Sequence, residues 1–120
     1  MFTLGSNHRF KLYSQATDMR KSLDSLSGLI SSHLEESPTN GDVFIFINKN
    51  RNKMKLLHWS GSGFVLYYKR LESGTFEQFS YDLNVGSYQL DYTQMVMLVD
   101  GVCIKNLHRK KHYKTLQKTS

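Results

Sequence analysis

Residues 41–71, GDVFIFINKNRNKMKLLHWSGSGFVLYYKRL, contain three predicted β-strands and set the fold class. The first strand, 43–47, is a continuous β-branched and aromatic run, which is typical of a strand covered on both faces. We therefore expect it at the centre of a sheet. Two further strands, 54–59 and 64–71, follow the polar turn at 48–53 and a short Ser-Gly turn. Such short connections permit only antiparallel neighbours, so a β-meander is predicted.

A strand and a helix are predicted before the meander. Residues 8–13 alternate polar and apolar side chains and indicate a short strand. Either this strand or residues 76–81 is a candidate for an exposed edge of the sheet, which could pair with a second copy. A helix should follow, with Thr17 or Asp18 as its N-cap, and the breaker run at 37–41 should end it. One face of this helix carries apolar residues at helical spacing: Met19, Leu23, Leu26, Ile30 and Leu34.

A short helix is predicted near the C-terminal end of the folded part. Asp91 and Gln94 stand in capping-box spacing, and Gly101 suits a C-cap. Residues 76–81 are a candidate fourth strand of the meander. The predicted fold class is therefore α+β: an antiparallel β-meander of about four to five strands packed against an N-terminal helix, with a short C-terminal helix and a basic tail.

The net charge of +6 is concentrated at the end of the chain. Residues 1–104 carry ten basic and ten acidic residues, whereas residues 105–120 carry six basic residues and no acid. The hydrophobic share of 39% is typical of a globular chain. We therefore predict one compact α+β domain at 1–104 and a basic C-terminal tail at 105–120.

Cysteine usage and hydropathy indicate the compartment. The chain has one cysteine, Cys103, so no intrachain disulfide can form, which fits a reducing environment. No apolar stretch has the length that a bilayer requires, and the N-terminus lacks a cleavable signal pattern. These features predict a cytoplasmic protein without a membrane partner.

The predicted first helix opens with two cations, Arg20 and Lys21. Positive charges in a first turn oppose the helix dipole, which is unfavourable unless an anion binds there. A phosphate at this helix N-terminus would accept hydrogen bonds from free backbone amides and from Arg20. The alternative is that both cations are solvated and partly offset by Asp18. The residues leave both interpretations open.

The first turn of the meander carries four cations at a spacing of two residues: Lys49, Arg51, Lys53 and Lys55. Such a row can line one side of a β-ribbon that contacts a nucleic-acid backbone or groove. The alternative is a solvated turn that resists aggregation. Trp59, Tyr67 and Tyr68 could stack on an unpaired base, although strand aromatics more often serve the core. Lys69 and Arg70 complete the candidate contacts of the body.

The tail LHRKKHYKTLQKTS, residues 107–120, carries the strongest electrostatic signal. Its candidate nucleic-acid contacts are Arg109, Lys110, Lys111 and Lys114. Like charges without acids indicate an arm that orders when it meets a polyanion. If the tail neutralises six phosphates, log K should fall against log salt with a slope of about −5. A merely solubilising end is the alternative.

The residues do not indicate a catalytic centre. The five histidines show no zinc-site pairing with cysteine, and Cys103 is predicted to be packed rather than nucleophilic. The run Gly61-Ser62-Gly63 is too short for a phosphate-cradling loop and suits a hairpin turn. We therefore predict no metal and no cofactor. Ten carboxylates leave a small metal-dependent nuclease as an alternative, because the acids of such sites converge from distant positions.

Three blocks in a fixed order point to a family. They are TDMRKSLDSLSGLI at 17–30, GDVFIFINKNRNKMKLLHWSGSGFVLYYKRLESGTF at 41–76 and QLDYTQMVMLVDGV at 89–102. With them the chain resembles the TnpB accessory proteins, the Orf2-like products, of the insertion sequence sixty-six family of bacterial transposable elements. The resemblance covers residues 8–102. Ser22 stands where the family usually has glycine, and residues 77–80 depart from an aromatic, proline-bearing segment.

The resemblance implies a non-catalytic accessory protein of DNA transposition and recombination. It implies that a larger transposase, encoded beside it, carries out the cutting and joining. The predicted partners are this transposase and nucleic acid, either DNA or RNA. A protein–protein adaptor for the transposase, without specific nucleic-acid binding, is the main alternative. Neither the residues nor the resemblance predicts an oligomeric state.

Overall fold

The computed structural model of the chain describes residues 5, 7–76 and 85–101. Its elements in chain order are β1 (Phe10–Tyr13), α1 (Leu23–Ser32), β2 (Val43–Ile47), β3 (Lys53–Trp59), β4 (Phe64–Arg70), β5 (Ser87–Leu90) and α2 (Tyr92–Asp100). The five strands form one sheet in the order β4-β3-β2-β1-β5. The α+β class is therefore confirmed.

The sheet is mixed, so the prediction of a purely antiparallel meander is wrong. Strands β2, β3 and β4 do pair antiparallel, with Ile45 opposite Leu56 and Leu57 opposite Leu66. Strand β1 instead runs parallel to β2. The connection between β1 and β2 contains α1, and a helical crossover brings the chain back in the same direction. Short connections, which permit only antiparallel neighbours, join β2 to β3 and β3 to β4, but not β1 to β2.

Strand β1 lies inside the sheet, so the first of the two candidates for an exposed edge, residues 8–13, is wrong. It pairs with β2 on one side and antiparallel with β5 on the other, from Phe10 opposite Leu90 to Tyr13 opposite Ser87. Sequence reasoning missed β5, because this strand has four residues and only Leu90 among them is buried. Within the described residues, β4 and β5 form the two edges.

The central position predicted for β2 is confirmed. All five of its residues are buried. Because successive side chains of a strand point to opposite faces, Val43, Ile45 and Ile47 join one core cluster, and Phe44 and Phe46 join another. The continuous apolar run in the sequence therefore reflects a strand that serves two cores.

The two helices cover opposite faces of the sheet. Helix α1 contributes Leu26 and Ile30 to the cluster around Phe44, and helix α2 contributes Met95 and Leu98 to the cluster around Ile45. Each fully buried side chain of this size stabilises the fold by about 1.5–3 kcal/mol. The sheet is thereby fixed on both sides, and its loops are presented from a rigid frame.

Helix α1 begins later than the sequence predicted. Its N-cap is Ser22, in extended backbone and without a side-chain capping bond, so the cap predicted at Thr17 or Asp18 is wrong. The preceding residues form a separate turn, in which the backbone N–H of Lys21 donates to the Asp18 carbonyl at 3.1 Å. Met19 therefore precedes the helix, although it packs against the same core.

Helix α2 confirms the predicted caps. The Asp91 carboxylate accepts from the Gln94 backbone N–H at 2.7 Å, and the Gln94 side chain accepts from the Asp91 backbone N–H at 3.0 Å. Gly101 ends the helix with a left-handed backbone at φ 82°. Phe76 is buried outside any strand, and the rest of the candidate strand at 76–81 lies outside the described residues. The same holds for the tail at 105–120.

A buried carboxylate joins β1 to the start of β2. Asp42 is 2% exposed and accepts from the Arg9 Nε at 2.8 Å and pairs with the Lys11 Nζ at 2.9 Å. Lys11 also bonds to Glu36, which follows α1. Although burial opposes its charge, the two carboxylates raise the pKa of Lys11 above its usual value. This cluster fastens the crossover connection to the sheet.

Candidate nucleic-acid interface

The loop between β1 and α1 is fastened to the sheet next to the β2–β3 turn. The backbone N–H of Thr17 donates to the carbonyl of Ile47, the last residue of β2, at 2.9 Å. Thr17 itself is 4% exposed. Residues 16–21, where the sequence predicted the start of a helix, therefore form a loop whose position is set by the end of the central strand.

Lys55 on β3 holds the other end of this loop. Its ammonium donates to the carbonyl of Met19 at 2.8 Å and to the carbonyl of Lys21 at 2.6 Å. It also lies 5.6 Å from the centre of the Tyr68 ring on β4, within cation–π range. Through these three interactions Lys55 links the loop to the sheet. Its ammonium, which the sequence predicted as a nucleic-acid contact, is therefore already bonded within the protein.

The β2–β3 turn is organised by Asn48. Its side-chain oxygen accepts from the backbone N–H groups of Asn52 at 3.0 Å and Lys53 at 2.9 Å, and its amide donates to the Asn52 side chain at 2.8 Å. Arg51 adopts a left-handed backbone at φ 61° and its Nε donates to the Phe76 carbonyl at 3.2 Å. The possible row of four cations along one side of a ribbon is therefore interrupted, because Arg51 and Lys55 bond to other segments. Nucleic-acid contact by this turn stays a prediction.

A groove of about 560 Å³ opens between the loop and the turn. We call it the basic groove, and it is lined by residues 16–20, residues 48–50, Lys53 and Tyr68. Its cations are Arg20 from the loop and Lys49 and Lys53 from the turn. In the part of the chain that the structure describes, neither Lys49 nor Lys53 takes part in an ion pair. Two of the predicted basic clusters thus meet at one surface.

Arg20 is paired within the groove. Its guanidinium donates to both carboxylate oxygens of Asp18, the shortest contact being 2.7 Å, and its backbone N–H donates to the same carboxylate at 2.9 Å. These hydrogen bonds hold the pKa of Asp18 at about 2, below its usual range. The Arg20 side chain is 91% exposed, so this is a solvated pair of the kind that adds little stability and exchanges partners readily. Because Arg20 precedes the N-cap Ser22, it does not stand in the first turn of α1, and the argument from the helix dipole does not apply to it. Nucleic-acid binding by Arg20 stays a prediction.

The remaining predicted contacts lie around or away from the groove. Arg70 is the cross-strand neighbour of Lys53 and pairs weakly with Glu72 at 3.4 Å. Lys69 points to the opposite face of the sheet, where its ammonium donates to the Val99 carbonyl at 2.6 Å. Trp59 lies at the far end of β3, edge-on to Phe64 with ring centres 5.0 Å apart. Arg109, Lys110, Lys111 and Lys114 lie outside the described residues.

A second depression adjoins the basic groove. It has a volume of about 530 Å³ and shares Ala16, Thr17 and Asp18 with the groove. Its other walls include Lys21 and the outward face of α1 around Gly28. A methyl group added at Gly28 would meet no atom within 4 Å, so this wall is open. The two depressions therefore flank the 16–18 segment on either side.

Sequence reasoning named Asp18 beside Arg20 and Lys21 but did not single out Ala16, Thr17 or Asn48 as parts of the site. The signal for Asn48 was its place directly after a buried strand, where an asparagine side chain commonly bonds to nearby backbone and forms a turn. Nothing in the local pattern indicated that the loop before α1 would face the turn after β2, because that contact depends on the parallel pairing of β1 with β2.

The fold and the groove define a class: a small α+β protein with a cation-rich surface groove on a single mixed sheet. In residues 5, 7–76 and 85–101, no three His, Cys, Asp or Glu side chains are grouped as ligands for a metal ion. Neither helix of this part of the chain is both long and apolar enough to cross a bilayer.

Comparison with known protein families identifies the family of the chain. The family described as IS66 Orf2-like protein matches residues 8–109, and the chain therefore belongs to the IS66 Orf2-like family, a family of accessory proteins of IS66 transposition. The expected family is thus confirmed.

Two bacterial relatives are similar to the chain. The uncharacterized protein y4jC of Sinorhizobium fredii is 37% identical over 68 residues, which are 57% of this chain and 58% of y4jC. The uncharacterized protein y4hO of the same organism is 28% identical over 102 residues, which are 85% of this chain and 87% of y4hO. The match thus spans less than two thirds of y4jC. No solved structure matches the chain.

Proposed function

We propose that the protein is a non-catalytic accessory factor of transposition that binds nucleic acid through the basic groove and the C-terminal tail. In this proposal it assists a separately encoded transposase of the same element. Membership of the IS66 Orf2-like family supports a role in transposition, and the charge distribution supports nucleic acid as the ligand.

The observation that carries the proposal is the convergence of Arg20, Lys49 and Lys53. These cations come from segments separated by α1 and β2, yet they line one groove. Like charges repel, and Asp18 offsets Arg20 alone, so a bound polyanion would relieve the repulsion that Lys49 and Lys53 add to the groove. Lys49 and Lys53 have no acidic partner among the described residues and are available for phosphates.

The groove also supports a binding role over a nuclease role. Metal-dependent hydrolysis of phosphodiesters requires carboxylates that converge on a metal ion. Among the described residues that line the groove, Asp18 is the one carboxylate, and it is bonded to Arg20. The cutting and joining chemistry is therefore assigned to the transposase.

A salt series with matched charge variants tests the proposal. Affinity of the full chain for a labelled oligonucleotide should fall with rising salt. Lys49→Gln and Lys53→Gln should each reduce the slope of log K against log salt by roughly 0.7–0.9, and the double variant by roughly twice that. Lys69→Gln removes a charge from the opposite face and should change the slope much less. Each variant is first compared with the parent by thermal unfolding.

The tail is tested separately in the same assay. Truncation after Ile104 removes all six cations of residues 105–120 and should weaken binding by more than the groove variants do. If the full chain binds no nucleic acid at low salt but is retained by the transposase, the protein is an adaptor and the proposal fails. If Lys49→Gln and Lys53→Gln change the salt slope no more than Lys69→Gln does, the groove is not a binding surface and that part of the proposal fails.

A further inference from the structure

We propose that the basic groove receives an unpaired nucleotide, with the base stacked on Tyr68 and the flanking phosphates bound by Arg20, Lys49 and Lys53. This inference rests on the proposed function and specifies its ligand as single-stranded nucleic acid. It also makes Tyr68 a contact residue, which the charge pattern alone does not indicate.

The shape of the groove favours an unpaired nucleotide over a duplex. Proteins that read a duplex insert a protruding helix or ribbon into its groove. Here the β2–β3 turn is not a free-standing ribbon, because Arg51 ties it to Phe76 on one side and Lys55 ties β3 to the 19–21 loop on the other. The cations line a depression of about 560 Å³, which accepts a group that projects from the ligand. A base that is not paired is such a group.

Tyr68 is placed to stack on that base. It lies on the edge strand β4, lines the groove and is 50% exposed, so one face of its ring is accessible to a ligand. The Lys55 ammonium, 5.6 Å from the ring centre, holds the ring in position from one side. Bases stack on such exposed aromatic rings without regard to sequence, because every base has a π-face.

The neighbouring depression provides a path for the rest of the strand. It shares Ala16, Thr17 and Asp18 with the groove and adds Lys21, a half-buried cation without an ion pair among the described residues. A chain of nucleotides that crosses the 16–18 segment would pass from the cations of the groove to Lys21. An extended single strand fits this arrangement better than an isolated small anion does.

Fluorescence anisotropy of the full chain tests the inference. The probes are a short labelled single-stranded DNA of mixed sequence and the same strand annealed to its complement. The single strand should bind more tightly, and Tyr68→Ala should weaken its binding roughly tenfold or more while changing duplex binding little. Tyr68→Phe retains the ring and should retain affinity. Tyr92→Ala removes a tyrosine that is 41% exposed on α2 and should leave binding unchanged.

Photocrosslinking gives a readout that does not depend on the stability of a variant. The unmodified protein is irradiated with a single strand that carries 5-iodouracil, and the crosslinked peptide is identified by mass spectrometry. A crosslink at Tyr68 supports the inference, and crosslinks confined to peptides that do not line the groove overturn it.

The two proposals fail in different ways. Equal affinity for single strand and duplex, with no effect of Tyr68→Ala, overturns the inference, while the groove cations still establish nucleic-acid binding if Lys49→Gln with Lys53→Gln lowers the salt slope. Absence of salt-dependent binding to either probe overturns the proposed function itself.

Discussion

Lys53 and Lys55 lie two residues apart on β3, and replacing each should affect a different property of the protein. Lys55→Met removes two hydrogen bonds from a charged donor to the carbonyls of Met19 and Lys21, and it removes the contact with Tyr68. Lys53→Met removes a cation that lines the groove and has no ion pair among the described residues. The first change should lower stability, and the second should lower nucleic-acid affinity.

The size of the Lys55 effect follows from its contacts. Hydrogen bonds to a charged group contribute about 1.5–3 kcal/mol each, and a partly exposed cation–π contact about 0.5–1 kcal/mol. A methionine side chain recovers part of this by packing on the ring, so Lys55→Met should lower the free energy of unfolding by about 3 kcal/mol. That is a large share of the roughly 5–15 kcal/mol that stabilises a typical domain.

Urea denaturation followed by circular dichroism measures the effect. Lys55→Met should shift the midpoint strongly, whereas Lys53→Met should stay within about 0.5 kcal/mol of the parent chain, as exposed substitutions usually do. Equal stability of the Lys55→Met variant and the parent would show that Lys55 does not fasten the loop. A strongly destabilised Lys53→Met variant would show that Lys53 stabilises the fold as Lys55 does, which contradicts the contacts seen in the structure.

Three further predictions concern single charged or titratable groups. Asp18→Asn keeps the acceptor for the Arg20 backbone but removes the negative charge of the groove, so affinity for nucleic acid in an anisotropy titration should rise about two- to threefold; an unchanged or weaker affinity contradicts this. Burial lowers the pKa of His58, so the unfolded chain takes up a proton first, and stability that is complete above about pH 6.5 should fall below it. Urea curves at two pH values should show this step, and His58→Gln should remove it. Asp42→Asn leaves two cations without their buried partner and should cost about 2–3 kcal/mol in the same assay, compared with less than about 1 kcal/mol for the exposed pair variant Glu72→Gln.

Local patterns in the sequence predicted most of the elements. The run at 43–47 indicated a strand covered on both faces, and the structure buries all five of its residues. The capping box of Asp91 and Gln94 and the C-cap Gly101 were likewise sufficient to define α2. For α2 the signal and the contacts that produce it lie within a few residues of each other, whereas the apolar run at 43–47 shows burial on both faces without showing which segments cover it.

Contacts between distant segments were not predicted. The spacing of Met19 suggested that α1 begins before it, but Lys55, 36 residues later, bonds to the loop carbonyls and the chain turns there instead. The row of four cations on the turn looked uniform in sequence, yet Phe76 and Met19 engage two of them and leave Lys49 and Lys53 at the groove. Tertiary hydrogen bonds decide which cations stay available to a ligand, and such bonds are not visible as a periodic pattern in the sequence.

The most direct test of the account is a residue-resolved titration. Two-dimensional ¹H–¹⁵N NMR spectra of the full chain, recorded while a short single-stranded oligonucleotide is added, identify the amides that the ligand perturbs. Within the folded part, the largest shifts should fall on residues 16–21, 48–53 and Tyr68. Shifts confined to α2 and β5, or none in the folded part, would contradict the assignment of the basic groove as the binding surface.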